Sequence, residues 1–154
     1  MTKEIERKFL LKNDSWRENA VGTGFRQGYL PTRDECVVRV RIAGYNAYLT
    51  IKGRNVGISR LEFEYAIPVS EADSMLDKLC VKPIIEKTRY NVSHEGLLWE
   101  IDVFTGENEG LILAEIELNT EEQQIQLPEW IGEEVSEDPK YYNSNLVKNP
   151  YCNW

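Results

Sequence analysis

The chain has 154 residues, of which 42% are hydrophobic and 29% are charged, and this composition favours one globular domain over residues 1–154. The formal net charge of −8 argues against a generic nucleic-acid-binding surface and against binding to an anionic membrane. No apolar run is long enough to span a bilayer, no signal peptide is evident, and the three widely spaced cysteines are typical of reduced thiols, so we expect a cytoplasmic protein.

The first predicted strand, from Glu4 to Leu10, carries its charge on one face. With a period of two, Glu4, Glu6 and Lys8 point to the same side, and mostly apolar residues point to the other. Two acids and a base could form the solvated face of a half-buried sheet, or a wall that faces a metal ion and a phosphate. The same pattern returns in later strands, which favours the second interpretation.

Seven further strands and three helices are predicted along the rest of the chain. The strands span residues 25–30, 36–42, 48–52, 60–69, 84–92, 98–104 and 111–118. The clearest helix covers 70–80, with Ser70 as its N-cap, and a short acidic helix covers 120–128. The Asp138-Pro139 pair predicts the start of a last helix over 140–147, because proline is favoured in the first turn.

Eight strands against one clear central helix indicate a mostly β protein (α+β), an eight-stranded antiparallel β-barrel tunnel with a few covering helices. Its charged strand faces could point outward, around a barrel filled by apolar side chains, or inward, lining a hydrated tunnel. In the second case, helices and C-terminal segments would cover the apolar outside. The alternating acids are Glu4, Glu6, Glu62, Glu64, Glu100, Asp102, Glu115 and Glu117, and the alternating bases are Lys8, Arg39, Arg41, Lys52, Lys87 and Arg89.

The strand over 25–30 offers two different faces, and only one of them can line a tunnel. Arg26 lies out of phase with Gln27 and Tyr29. The sequence favours Gln27 and Tyr29 as the tunnel face, since an amide and a hydroxyl could contact phosphate, and ordinary barrel packing is the alternative. The lone His94 lies in a predicted hairpin turn with no neighbouring partner, so we expect no catalytic role for it.

Charged motifs recur in a fixed order along essentially the whole chain. They are Glu4-x-Glu6-x-Lys8, Val38-Arg39-Val40-Arg41, Thr50-Ile51-Lys52, Glu62-x-Glu64, Lys87-x-Arg89, Glu100-x-Asp102, Glu115-x-Glu117 and the late stretch Tyr142-Asn143-Ser144-Asn145-Leu146. In this order they resemble the CYTH superfamily, also called triphosphate tunnel metalloenzymes. The short chain resembles the compact bacterial type, with no appended domain.

The resemblance implies an eight-stranded tunnel that binds a triphosphate together with a divalent metal. Members of this superfamily include inorganic, thiamine and RNA triphosphatases and class IV adenylate cyclases, so the fold alone does not select the reaction. The residue types fit this chemistry independently, because phosphoryl transfer needs charge neutralisation and positioning, which lysine and arginine provide. Carboxylate oxygens suit Mg²⁺ or Mn²⁺, whereas no histidine or cysteine cluster suits zinc.

The predicted site assigns the charged residues to three roles. The metal ligands are Glu4, Glu6, Glu115 and Glu117, with Glu62 and Glu64 near them, and one or two metals are compatible with this number of acids. The substrate-binding residues are Lys8, Tyr29, Arg39, Arg41, Lys52, Lys87 and Arg89. The catalytic residues are Glu4, Glu6, Lys8, Lys52 and Lys87. Glu100 and Asp102 could instead hold basic side chains in place.

The predicted reaction is the divalent-metal-dependent hydrolysis of inorganic tripolyphosphate or a related triphosphate, releasing phosphate. The alternatives are a class IV-type adenylate cyclase and a non-catalytic polyphosphate-binding module. Because no glycine-rich nucleotide fingerprint or base-reading cluster is evident, we expect tripolyphosphate to be preferred over ATP. The expected partner is a small triphosphate, without nucleic acid or membrane, and the sequence leaves monomer and homodimer open.

Overall fold

Strands dominate residues 3–154, the part of the chain that the computed structural model of the protein describes. The strands are β1 Lys3–Leu11, β2 Val21–Leu30, β3 Val37–Ala43, β4 Asn46–Lys52, β5 Ser59–Ile67, β6 Ile85–His94, β7 Leu97–Phe104, β8 Ile112–Glu117 and β9 Ile131–Glu134. The α-helices are α1 Val69–Lys78 and α2 Asn143–Lys148, and 3-10 turns occur at Ser15–Arg17, Gly106–Asn108, Pro139–Tyr141 and Tyr151–Asn153. Within this range, none of the helices has the length and apolar character needed to cross a membrane.

Eight of the strands close into an antiparallel barrel. They are hydrogen-bonded in the order β5-β4-β3-β2-β6-β7-β8-β1, and β1 returns to β5 with Glu4 opposite Arg60. β1 continues beyond Ser59, the first residue of β5, and there Phe9 lies opposite Glu134 of the short outer strand β9. Closure pairs the strand edges that an open sheet would expose. The predicted eight-stranded antiparallel barrel is therefore confirmed.

The alternating charged faces of the strands point into the barrel, and the apolar faces point outward under a cover. Val40 of β3 packs with Leu76 of α1 in one buried cluster. On another side, Trp99 of β7 lies edge to face with Trp130, at a centroid distance of 5.7 Å. The C-terminal segment supplies a third cover through Leu146. The alternative of a barrel filled by apolar side chains is wrong, because the apolar side chains are buried on the outer face of the barrel, under these covers, and not in its interior.

Strand β2 begins at Val21, four residues before the predicted start at residue 25. The segment from Val21 to Gly24 contains two glycines and looks like a loop in the sequence, yet it pairs with β6. A Cβ at Gly22 would lie only 2.7 Å from Cε1 of Tyr90. Glycine is needed here for the close approach of the Tyr90 ring, a constraint that local sequence does not reveal.

The helical predictions need three corrections. α1 begins at Val69 after Pro68, and Ser70 lies inside its first turn rather than capping it. The acidic helix over 120–128 is wrong: this segment has a bend and a turn over 120–122 and irregular chain over 123–128. The last helix is split into the turn Pro139–Tyr141 and α2, although Asp138 does accept a hydrogen bond from the backbone N–H of Lys140.

The cysteines are free thiols, and His94 belongs to a strand rather than to the predicted turn. Cys36, Cys80 and Cys152 are unpaired. His94 ends β6 just before the hairpin turn at Glu95 and Gly96, both of which have positive φ angles, and it does not line the barrel interior. The titratable side chains that line the barrel interior are carboxylates, lysines, arginines and tyrosines.

Candidate active site

All the residues assigned to the three predicted roles line one cavity inside the barrel, whereas Gln27 does not. Its volume is about 260 Å³. The predicted residues in its wall are Glu4, Glu6, Lys8, Tyr29, Arg39, Arg41, Lys52, Glu62, Glu64, Lys87, Arg89, Glu115 and Glu117. They meet because alternate residues of neighbouring antiparallel strands point to the same side of the sheet.

Strands β1 and β8 bring several carboxylates close together in the cavity wall. Glu6 lies directly opposite Glu117, and Lys8 lies directly opposite Glu115. Within residues 3–154, no side chain forms a hydrogen bond or ion pair with the Glu6 carboxylate. Burial, together with the nearby charges of Glu115 and Glu4, raises the pKa of Glu6 to about 8. Glu6 therefore keeps its proton near neutral pH unless a cation replaces that proton.

A lysine occupies the space between two further carboxylates. Lys52 Nζ lies 3.0 Å from Glu4 Oε2 and 3.2 Å from Glu62 Oε2. Burial and a hydrogen bond to Glu4 raise the pKa of Glu62 to about 7. Burial alone would raise the pKa of Glu4, but the Glu62 hydrogen bond and Lys52 hold it well below its usual range. Arg60 Nε also lies 3.4 Å from Glu4 Oε1, so a metal at Glu4 would have to displace Lys52 and Arg60.

Asp102 lies behind the wall and holds two basic side chains in place. Its oxygens accept hydrogen bonds at 2.7 Å from both Lys87 Nζ and Arg89 Nε, and at 2.9 Å from Arg89 Nη2. Burial alone would raise the pKa of Asp102, but Lys87 and Arg89 lower it to about 2. Of the two roles left open for Asp102, support of the basic residues is the one that these contacts favour. Glu100 lines the cavity itself, 3.3 Å from Arg89 Nη1.

The basic residues crowd around one aromatic ring. Arg41, Arg89 and Lys87 place their charged groups 4.8, 5.0 and 5.7 Å from the centroid of Phe25. Burial and the repulsion of neighbouring arginines lower the pKa of Arg41 to about 9 and that of Lys87 to about 7, although Asp102 opposes the second shift. The Nε atom of Arg39 is buried and has no hydrogen-bond partner. This crowded and incompletely bonded group of cations is suited to a polyanion.

Several wall residues were not predicted from the sequence. Ser136, Tyr142, Asn143 and Ser144 line the cavity, and all come from the C-terminal segment. The carbonyl oxygen of the Asn143 side chain accepts a hydrogen bond at 3.0 Å from Lys87 Nζ. None of these residues belongs to an alternating charged strand. The late stretch that contributes to the family resemblance was the signal for Tyr142, Asn143 and Ser144, and Ser136 had none.

The residues present fit a divalent cation. Within residues 3–154, no three potential ligands already surround a single point, and Lys52 and Lys8 provide part of the neutralising charge. The opposed carboxylates of Glu6 and Glu117 nevertheless lack a partner among these residues, and burial raises the pKa of both. Hard carboxylate oxygens are the ligands that Mg²⁺ and Mn²⁺ prefer, and a cation there would relieve the repulsion between them.

Curated proteins of known name match this chain over nearly its full length. An inorganic triphosphatase of Acetivibrio thermocellus is 54% identical over 154 residues, which are 100% of this chain and 99% of the relative. An inorganic triphosphatase of Nitrosomonas europaea is 40% identical over 149 residues, which are 94% of this chain and 96% of the relative.

Solved structures and a family model agree with these matches. A crystal structure of an inorganic triphosphatase, 37% identical, covers 93% of this chain and 96% of its own, with a TM-score of 0.66. A Bacillus halodurans protein provisionally assigned as an adenylate cyclase, at 18% identity and a TM-score of 0.64, shares the fold over 79% of this chain and 84% of its own. The CYTH domain model matches residues 2–149. This chain therefore belongs to the CYTH family of triphosphate tunnel metalloenzymes.

Proposed function

We propose that this protein hydrolyses inorganic tripolyphosphate and releases phosphate, with Mg²⁺ or Mn²⁺ as its divalent metal. The observation that carries this proposal is the cavity of about 260 Å³, in which buried lysines and arginines lie with the carboxyl groups of Glu6 and Glu117, which have no ion-pair partner within residues 3–154. An anion rich in phosphate oxygens and a divalent cation would together neutralise both walls. Relatives at 54% and 40% identity are named inorganic triphosphatases, and this chain shares their full length.

We assign the basic wall to the phosphate groups. Arg39 and Arg41 have guanidinium nitrogens left for phosphate oxygens, whereas Arg89, whose Nε and Nη2 already donate to Asp102, contributes mainly its positive charge. Lys8, Lys52 and Lys87 act as point charges. Lys87 and Arg89 are held by Asp102 before the substrate arrives, so these two can stabilise the charge that develops on the leaving phosphate at little reorganisation cost. A bound polyanion would also favour the charged form of Lys87, whose pKa burial lowers to about 7.

We assign the carboxylates of β1 and β8 to the metal. Glu4, Glu6, Glu115 and Glu117 would hold it, with Glu62 and Glu64 at the edge of the site. When bound, a divalent metal supplies charge neutralisation and lowers the pKa of an attacking water. The protein's own part is to release the proton that burial keeps on Glu6 near neutral pH, and to move Lys52 from Glu4 toward phosphate.

An organic triphosphate is the second candidate substrate, because a further cavity adjoins the tunnel. This cavity has a volume of about 720 Å³ and shares Tyr29, Val37 and Tyr142 with the tunnel wall. Leu30 and Val147 give it apolar surface that an organic substituent could contact. Within its lining we find no cluster of groups suited to reading a nucleotide base, so tripolyphosphate remains the first candidate.

Product analysis separates these functions. The purified protein is incubated with Mg²⁺ or Mn²⁺ and either tripolyphosphate or ATP, and phosphate, pyrophosphate and cyclic AMP are measured. We expect phosphate from tripolyphosphate, no product in excess chelator, and recovery when metal is restored. Pyrophosphate with cyclic AMP would identify a cyclase, and tight binding without product would identify a binding module. Full activity in a metal-free sample would contradict the metal assignment.

We place the reaction in the cytoplasm, where thiols stay reduced, because Cys36, Cys80 and Cys152 are all unpaired.

A further inference from the structure

Gln27 is a polar side chain behind the tunnel wall that no part of the proposed reaction uses. It is fully buried and does not line the cavity, contrary to the sequence prediction that its amide would contact phosphate. Its carbonyl oxygen accepts a hydrogen bond at 2.8 Å from Arg41 Nε, which lies on the directly opposite residue of β3. Its amide nitrogen lies 3.0 Å from the Tyr29 hydroxyl and 3.0 Å from the side-chain oxygen of Asn143.

These contacts fix the direction of every hydrogen bond around Gln27. A guanidinium can only donate, so the Gln27 oxygen must face Arg41 and its NH₂ group must donate on the other side. The neighbouring atom of Asn143 must then be its oxygen, and Lys87 requires the same, because Nζ also donates to it at 3.0 Å. Turning either amide over would leave a donor facing a donor in a buried place, which is costly.

The fixed direction leaves three groups with donors for the tunnel. The Tyr29 hydroxyl accepts from Gln27, so its own hydrogen remains available to a phosphate oxygen. The Asn143 oxygen is occupied twice, so its NH₂ group is the part left for the cavity that Asn143 lines. Arg41 is held through Nε, which leaves its terminal nitrogens for the substrate. These groups come from β2, β3 and the C-terminal segment, and one buried amide connects them.

We propose that Gln27 is a positioning residue that aims the donors of Tyr29, Arg41 and Asn143 at the bound polyphosphate. It does not touch the substrate and acts only through these three side chains. This role rests on the proposed function for the identity of the substrate. The hydrogen-bond directions themselves rest on the contacts of Gln27 alone.

A double-mutant cycle between Gln27→Met and Tyr29→Phe tests this role. We expect Gln27→Met to lower kcat/KM for tripolyphosphate by roughly 10- to 100-fold, the range for losing a hydrogen bond to a charged group. Tyr29→Phe should lower kcat/KM about tenfold in the wild-type background and less than about threefold in the Gln27→Met background. In the second background the Tyr29 hydroxyl is no longer directed at the phosphate, so its removal changes little. A purely structural role would give equal costs in both backgrounds.

A second variant and a surface control keep the test independent of folding. Gln27→Glu keeps the size and the acceptor for Arg41 but cannot donate, so Tyr29→Phe should again cost less than about threefold. Arg26→Met changes the adjacent residue, whose partner is the exposed Asp73, and should leave kcat/KM unchanged. Wild-type kcat/KM in Gln27→Met, or additive losses in both cycles, would overturn the positioning role.

The same cycles are also measured as Kd for tripolyphosphate by calorimetry in the presence of chelator. If the wild type binds but does not hydrolyse tripolyphosphate, the proposed function fails, and non-additive Kd values would still support the role of Gln27. Additive Kd values would overturn the role of Gln27 and leave the proposed function standing. A wild type that neither binds tripolyphosphate in chelator nor hydrolyses it with metal would overturn both.

Discussion

Replacing Asp102 by asparagine removes the negative charge that two buried cations share. Asp102 is 0% exposed and accepts three short hydrogen bonds, one from Lys87 and two from Arg89. An amide has one accepting atom, so its NH₂ group would face a cationic donor. Breaking a buried ion pair by removing one partner costs roughly 3–5 kcal/mol. For a chain of this length that corresponds to a fall of roughly 6–20 °C in the unfolding midpoint.

Thermal unfolding followed by circular dichroism measures this change, with Glu100→Gln as the matched control. Glu100 also pairs with Arg89, but at 3.3 Å and with 35% of its side chain exposed, so we expect a change below about 1 kcal/mol. Tripolyphosphate should restore part of the lost stability of Asp102→Asn, because it supplies negative charge to the uncompensated cations. An Asp102→Asn protein that melts no lower than Glu100→Gln would refute the supporting role of Asp102.

The pH dependence gives a further check on the same variant. Lys87 and Arg89 lower the pKa of Asp102 from 3.8 to about 2, which outweighs the effect of burial. A carboxylate whose pKa is lowered by folding stabilises the protein at pH values above its pKa in the unfolded chain. This stabilisation is lost as the pH falls through its pKa in the folded protein. The free energy of unfolding of the wild type should therefore exceed that of Asp102→Asn by its full amount above about pH 5, and this excess should shrink between about pH 4 and pH 2.

Three further predictions address the two walls of the tunnel. Glu117→Gln should keep the fold, since Glu117 has no ion-pair partner within residues 3–154, and should lose most of the turnover at limiting metal; wild-type turnover at every metal concentration would remove Glu117 from the ligands. Arg41→Ala should lower kcat/KM by about 100-fold, as for other charge-stabilising groups, and unchanged kinetics would place Arg41 outside the reaction. Burial and nearby acids raise the pKa of Glu6 to about 8, so a metal that binds Glu6 must displace its proton. Calorimetry should therefore show the affinity for Mn²⁺ weakening by up to about tenfold for each pH unit below that value. An affinity that does not change with pH would exclude Glu6 from the metal ligands.

The charged lining was predictable because it depends on the local alternation of residues along strands. Glu4, Glu6 and Lys8 show their shared face within five residues, and the same rule applies to Arg39 and Arg41. Whether the charged face of a strand points into the barrel depends on whether another segment covers its apolar face. The sequence of a single strand does not show that. The covers are α1 and the C-terminal segment, and a helix over 70–80 with an apolar stripe was the available indication.

The supports behind the lining were harder to predict because they depend on contacts between distant segments. Asn143 reaches Lys87 from a segment 56 residues away in sequence. The short strand β9 has no alternation of its own and forms because β1 extends past the end of β5. Gly22 looks like a loop residue until the Tyr90 ring is seen beside it. Gln27 was expected to line the tunnel because its phase is correct, but Arg41, Tyr29 and Asn143 enclose its amide.

The relative kcat/KM values for tripolyphosphate and ATP, measured side by side at equal free Mg²⁺, test the central claim most directly. The groups in the tunnel wall address phosphate and metal, and a nucleoside would have to be ordered in the adjoining cavity without a base-reading cluster. We therefore predict a higher kcat/KM for tripolyphosphate, with phosphate as the product. An ATP value equal to or above the tripolyphosphate value would contradict this account and would favour a nucleotide as the substrate.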